Sequence, residues 1–304
     1  MTVTSAISAK YPPSSGCHVY AGKSVLYALA LVLLSCLVLL SQPAGAASFT
    51  LVLDPGHFNL DLDGRVTKDG AHAVVNGREV WEGELTLAVS EYLRAELGAR
   101  GATVYATRWL DPALPQDDPK NNKFWRINSH GYDQELANIG RAEFANETIL
   151  GKDWRKVAVS SAESDGGSSS ATGLFIRIHF DGSTNKSDSG FAVYYNDQSD
   201  YDKDGVIARE SKRYAEAVAA ALANGTKNAD GTIRRKPWLI PPNGAGSGVK
   251  RFTRPIYGFK YAKVPSILIE GGFLTNAGDL AVIMKPESQK LLAGLIADAV
   301  GTGK

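Results

Sequence analysis

Beyond residue 46 the chain contains no cysteine; its two cysteines, Cys17 and Cys36, both precede that point. A disulfide framework, a thiolate metal site and a cysteine nucleophile are thereby excluded together from everything that follows. An excess of one charge is lacking too. The formal net charge is +1, and without Lys10 and Lys23 of the leader 31 basic residues stand against 32 acidic ones. Proteins that follow a polyphosphate chain or cling to anionic lipid carry a basic surplus, so nucleic acid is not an expected partner. Histidine is scarce as well. After the leader only His57, His72, His130 and His179 remain to carry imidazole chemistry.

The first 46 residues contain no Asp, Glu or Arg. Val25 to Leu40 is an apolar run of 16 residues broken only by Ser35, and the small-x-small triplet Ala44-Gly45-Ala46 follows. Positive start, apolar middle and small-residue exit make a secretory signal. The run is short for a membrane span of about 20 residues, so a cleaved leader is expected, with an uncleaved anchor as the alternative and the sole membrane contact. Leu37 to Leu40 continues the run past Cys36, which argues against lipidation. Residues 47–304 then form one exported domain, in the periplasm or outside the cell.

With 44% hydrophobic and 21% charged residues, that domain can bury a sizeable core. Short apolar runs alternate with helical periods. Strands are expected at Phe49–Asp54, Ala102–Thr107, Leu174–His179, Phe191–Asn196 and Ser266–Glu270. Helices are expected through Leu85 to Leu97 (closed by Gly98 and Gly101), Tyr132–Asn146, Ile207–Leu222 and Leu291–Ala299. Strands separated by helices predict an α/β, three-layer sandwich around a twisted, mostly parallel central sheet. Trp109–Gly131, Ser160–Gly173 and Asn224–Gly248 read as loops, the last holding an Arg234-Arg235-Lys236 cluster, expected to be solvated, beside Trp238.

In parallel α/β sheets, sites assemble beyond the carboxyl ends of strands. His57 follows the first strand through Asp54-Pro55-Gly56, and His179 ends the third. Glu270 ends the fifth, where a carboxylate is costly unless paired or associated with a metal. Two histidines with carboxylates suit a zinc site that keeps one position for water. Glu82, at the start of a helix, is a plausible third ligand, and His72, on the expected loop between His57 and Glu82, reads as a solvated loop residue and is the substitute ligand. His130 reads as a solvated loop residue and Asn276 as a helix cap.

Leu53-Asp54-Pro55-Gly56-His57 followed by Glu82-Gly83-Glu84-Leu85-Thr86-Leu87 resembles the opening of the zinc-dependent N-acetylmuramoyl-L-alanine amidases, in their type 3 catalytic domain. Gly101-Ala102-Thr103-Val104 with Thr107-Arg108, Arg141 with Ala145-Asn146, Phe175 to His179 and Ile267 to Asn276 resemble later segments of that family, in its order. The resemblance implies zinc on His57, Glu82 and His179, and Glu270 as general base. It implies peptidoglycan as substrate, cut between N-acetylmuramic acid and L-alanine. Two other readings share the scaffold: a zinc endopeptidase acting within the stem peptide, and a non-catalytic wall-binding protein.

Departures from the family pattern stand at Phe58, where glycine is usual, at Arg177, where serine is usual, and at Phe180-Asp181. Arg177 shares a strand face with His179, so it either pairs with Asp54 or grips a substrate carboxylate, and pairing is favoured because buried arginines are normally paired. No self-inhibiting helical insertion is evident, which leaves control to a protein activator or to the Ser160–Gly173 segment.

Overall fold

The computed structural model describes residues 49–58, 68–108, 134–157, 173–244 and 247–301. The leader, the whole of the 109–131 segment with His130, and residues 160–172 lie outside that set, so the expectations placed on them have no structural counterpart.

The sheet is built from β1 (Thr50–Pro55), β4 (Thr103–Ala106), β5 (Gly173–Asp181), β6 (Ala192–Tyr195), β9 (Val249–Lys250) and β10 (Ser266–Phe273), in the order β4-β1-β5-β10-β6-β9. The first four in that order run parallel, and β6 joins β10 antiparallel. β1, β5 and β10 are mostly apolar and buried because helices cover both of their faces.

Alternation along these strands makes two cores of unequal size. Leu51, Leu53, Ile176, Ile178, Ile267 and Ile269 point to one face, where α1 (Glu82–Gly98), α3 (Val206–Asn224) and α6 (Pro286–Val300) supply Leu93, Val218 and Leu295. Each such fully buried aliphatic side chain contributes roughly 1.5–3 kcal/mol. Val52 and Phe175 point the other way and pack on Ala142 and Ala145 of α2 (Gln134–Leu150), with Ala262 and Val264. Those last two follow the short helix α4 (Tyr257–Lys260). The result is the expected three-layer α/β fold.

Several local expectations change. β10 runs three residues past Glu270, because Gly271-Gly272 does not end the strand but forms an irregularity in its register with β5, with Gly272 at φ +146°. A side chain on Gly271 would collide with the Phe180 ring. His72 is not on a loop: it begins β2 (His72–Val75), which pairs with β3 (Arg78–Trp81). The two-residue Asn76-Gly77 turn between them has φ of +51° and +79°, both left-handed, as a tight hairpin requires.

The 224–248 segment also holds a hairpin, β7 (Thr226–Lys227) with β8 (Ile233–Arg235). Arg235 is not solvated. Its Nη2 lies 2.8 Å from Glu96 and its Nε 3.2 Å from Asp298. Trp238 is a core residue whose indole donates to the Gly271 carbonyl at 2.9 Å. Asn276 caps α5 (Ala277–Ile283) as expected, accepting from the amides of Gly278 and Asp279.

Candidate metal centre

Three elements deliver the site. β1 ends at Pro55, and the chain then turns so sharply that His57 and Phe58 both adopt left-handed backbone, φ +62° and +52°. For non-glycine residues this costs on the order of 1 kcal/mol or more each and persists only where surroundings enforce it. Here they do. The Gly56 amide donates to Ile178 O, the Phe58 amide donates to Asp69 Oδ1 at 2.9 Å, and Arg141 Nη2 donates to His57 O at 3.2 Å. Phe58, where glycine was expected, thus keeps the glycine-like conformation. Its buried ring lies where any side chain on Gly83 would fall, with the Arg108 guanidinium 5.3 Å from the ring centre.

Glu82 is the first residue of α1, where the helix dipole favours a negative charge. Its carboxylate is buried and fully engaged. Oε1 accepts from the Phe180 amide at 3.0 Å and lies 3.0 Å from His179 Nδ1. Oε2 accepts from the Ala71 amide at 3.0 Å and lies 3.1 Å from His57 Nε2. His179 projects from β5 over Gly56, whose lack of a side chain leaves room for the ring. The two imidazoles meet edge to face with centres 5.1 Å apart. One donor atom each from His57, Glu82 and His179 fall within 4.8 Å of one another.

Glu270 stands opposite His179 in the β5–β10 register. Both line a cleft of about 580 Å³ that also contains His57, Glu82 and Asp181. Buried Glu270 Oε2 and buried His179 Nε2 have no hydrogen-bond partner. Burial, reinforced by the neighbouring carboxylates of Glu82 and Asp181, pushes the Glu270 carboxyl well above the ordinary glutamate range.

The charges fit a cation. Burial tends to discharge His57, but hydrogen bonds and charges from Asp69 and Glu82 outweigh it and raise its pKa to about 9. Burial raises the Glu82 pKa, yet the two histidines pull it down to about 2. His57 Nδ1 lies 3.2 Å from Asp69 Oδ2 and its Nε2 3.1 Å from Glu82 Oε2, so both of its ring nitrogens face carboxylates. Asp69 thereby orients the ring of this candidate ligand. Sequence reasoning missed Asp69. It lies in a loop with no periodicity, and its only signal is the general need of such a histidine for a partner.

Arg177 does not enter this cleft. Its Nε donates to Asp54 Oδ2 at 2.9 Å and its Nη2 to Asn138 at 2.5 Å, while Asp54 Oδ1 accepts from Arg141 at 2.5 Å and Thr107 at 2.6 Å. Burial alone would raise the Asp54 pKa, but Arg141 and Arg177 hold it well below the usual carboxylate range. The structure therefore assigns Arg177 the structural pairing. His72 also stays apart from the donor cluster: it is exposed on β2 and stacks on Trp81 at 4.5 Å.

Residues 51–302 match the sequence profile of the family described as N-acetylmuramoyl-L-alanine amidase. The chain belongs to that family. Among curated proteins it is similar to N-acetylmuramoyl-L-alanine amidase LytC of Bacillus subtilis, at 26% identity over 230 residues, covering 76% of this chain and 30% of LytC. The chain thus spans under a third of that relative. Among solved structures, the amidase Ami1 of Mycobacterium smegmatis superposes with a TM-score of 0.54 at 19% identity, covering 83% of this chain and 94% of its own. Ami1 of Mycobacterium abscessus does so at 0.52 and 20%, covering 83% and 96%. Both likenesses show that the central sheet and its helices are the fold of this amidase family.

Proposed function

We propose that this chain is an exported, zinc-dependent hydrolase of peptidoglycan that cuts the amide between N-acetylmuramic acid and L-alanine. One observation carries the reading: the donor atoms of His57, Glu82 and His179 converge within 4.8 Å, and Glu270, whose Oε2 has no hydrogen-bond partner, lines the same cleft. Two imidazoles and a carboxylate form the donor set of a catalytic zinc site, which keeps a further position open. Family membership and the name of LytC support the choice of bond.

When bound, zinc supplies Lewis acidity, acidifying water and polarising a carbonyl. The chain's own residues do the rest. Asp69 fixes the His57 ring through Nδ1, leaving Nε2 for the metal. Glu82 is oriented by the amides of Ala71 and Phe180. Glu270 takes the proton of the attacking water and returns it to the nitrogen of L-alanine as the C–N bond breaks, a transfer favoured by a carboxyl whose pKa lies above the ordinary range. The substrate lies outside the cytoplasm, which agrees with the signal-like leader.

The test is zinc analysis and wall digestion with residues 47–304, beside Glu270→Ala. One zinc per chain, newly freed L-alanine N-termini, and a variant that holds zinc without cutting support the proposal. Other freed N-termini would point to an endopeptidase. Zinc without cleavage by the parent would point to a partner-activated or wall-binding protein, and no zinc would overturn the ligand assignment.

A further inference from the structure

The cleft does not end at the metal ligands. It shares His72, Lys186 and Thr275 with an adjoining groove of about 330 Å³. Ala73 and Val74 of the β2–β3 hairpin wall the groove on one side, and Leu274, Ala277 and Leu280 wall it on the other. These small aliphatic surfaces suit alkyl side chains. They do not offer the dense set of hydrogen-bonding groups that a sugar ring demands.

Lys186 sits where cleft and groove meet, and makes no ion pair with any described residue. The nearby Asp188 is engaged instead by Ser183 Oγ at 2.6 Å and Asn185 Nδ2 at 2.8 Å. The backbone carrying Lys186 is held in place. Ser183 N donates to Thr275 Oγ1 at 2.9 Å, and Asn276 Nδ2 donates to the Lys186 carbonyl at 3.0 Å. The cleft behind it is lined by the acidic residues Glu82, Asp181 and Glu270. An incoming carboxylate is therefore repelled by those acidic side chains and attracted at Lys186. His72, stacked on Trp81, forms a firm wall beside that charge.

Resting on the amidase reading above, we propose that this groove seats the peptide on the leaving-amine side of the scissile amide, with the Lys186 ammonium pairing to a carboxylate of that peptide. Lys186 would then be a specificity-determining residue that takes no part in the proton transfers.

The test uses the zinc-loaded chain and two soluble muramoyl-peptides, both with amidated C-termini. They differ in one group, a carboxylate on the second peptide residue in one and a carboxamide in the other. The expected result is a Michaelis constant about five-fold lower for the acid, the scale of one partly solvated ion pair, with little change in kcat. Lys186→Ala should erase the preference and Lys186→Arg keep it. A parent without preference, or a preference that survives Lys186→Ala, overturns the proposal. If neither compound is cut, the amidase reading fails. Calorimetric titration of the two free peptides into Glu270→Gln then judges the groove separately, with the same five-fold preference expected and equal binding overturning it.

Discussion

Glu270 and His179 stand side by side across the parallel β5–β10 ladder, and each presents to the cleft a buried polar atom with no hydrogen-bond partner. An unsatisfied buried group costs about 1–3 kcal/mol, so this pair is a standing expense of the fold that its chemistry explains. Glu270→Gln keeps the shape and removes the proton carrier. Wall digestion should slow by roughly 10²–10⁴-fold, while zinc content stays at the parent level. Loss of zinc in this variant would show that Glu270 is a ligand instead.

Metal uptake should depend steeply on pH. His57, with its pKa raised to about 9, must release a proton before it can ligate, so affinity rises by about tenfold per pH unit below that value. The metal-free protein responds in the opposite sense. A histidine raised above its ordinary 6.5 contributes stability that is complete below 6.5 and lost as pH passes 9. Glu82, depressed to about 2, contributes stability present above its ordinary 4.5 and lost as pH falls through 2. Zinc titrations and metal-free melting curves at pH 6, 7.5 and 9, values that bracket this window around the usual histidine range, should therefore move in opposite directions.

Asp69→Ala removes the partner of His57 Nδ1 and the acceptor for the Phe58 amide. Zinc affinity should fall by about 10–100-fold, read by competition with a chromophoric chelator. Unchanged affinity would mean that the turn alone aims the ring.

Phe58 separates packing from backbone strain. Phe58→Ala loses a buried ring and keeps the left-handed strain, a cost of about 3–5 kcal/mol. Phe58→Gly loses the same ring but relieves the strain at φ +52°, so its cost should be lower by about 1 kcal/mol. Urea denaturation decides between them. A glycine variant less stable than the alanine one would remove strain from the account.

Arg177→Ser strips one of two guanidinium partners from buried Asp54. The melting temperature should drop, by less than the about 3–5 kcal/mol of a fully uncompensated buried charge because Arg141 and Thr107 still hold Asp54, while the Michaelis constant of the folded fraction stays unchanged. A raised constant with unchanged melting would return Arg177 to substrate binding.

Much of the site was readable along the chain, because its parts lie at ends of strongly apolar strands. Leu51 to Leu53, Leu174 to Ile176 and Ile267 to Ile269 admit only buried strands, and a histidine or glutamate stands within a few residues after each run, near the carboxyl end of its strand. That placed His57, His179 and Glu270 on one edge, and the cap at Asn276 was equally local. The hairpin carrying His72 was missed although Asn76-Gly77 is a turn signal, because strands of four residues leave too little alternation to read. Gly271-Gly272 looked like an ending because a glycine pair is compatible with both a break and a bulge, and only pairing with β5 selects the bulge.

The sequence by itself determined which residues could do chemistry: it removed thiols, limited imidazoles to four positions, and set the strand ends by hydrophobic pattern. The tertiary structure alone decided which atoms meet. Asp69 closing a loop back onto His57, Arg177 turned to Asp54 and away from the cleft, Arg235 drawn to Asp298, and Lys186 at the mouth of a second groove are placements that only the folded chain makes. Local propensity carries no information about such pairs. They follow from the register of β1, β5 and β10 and from the helices that register forces onto each face.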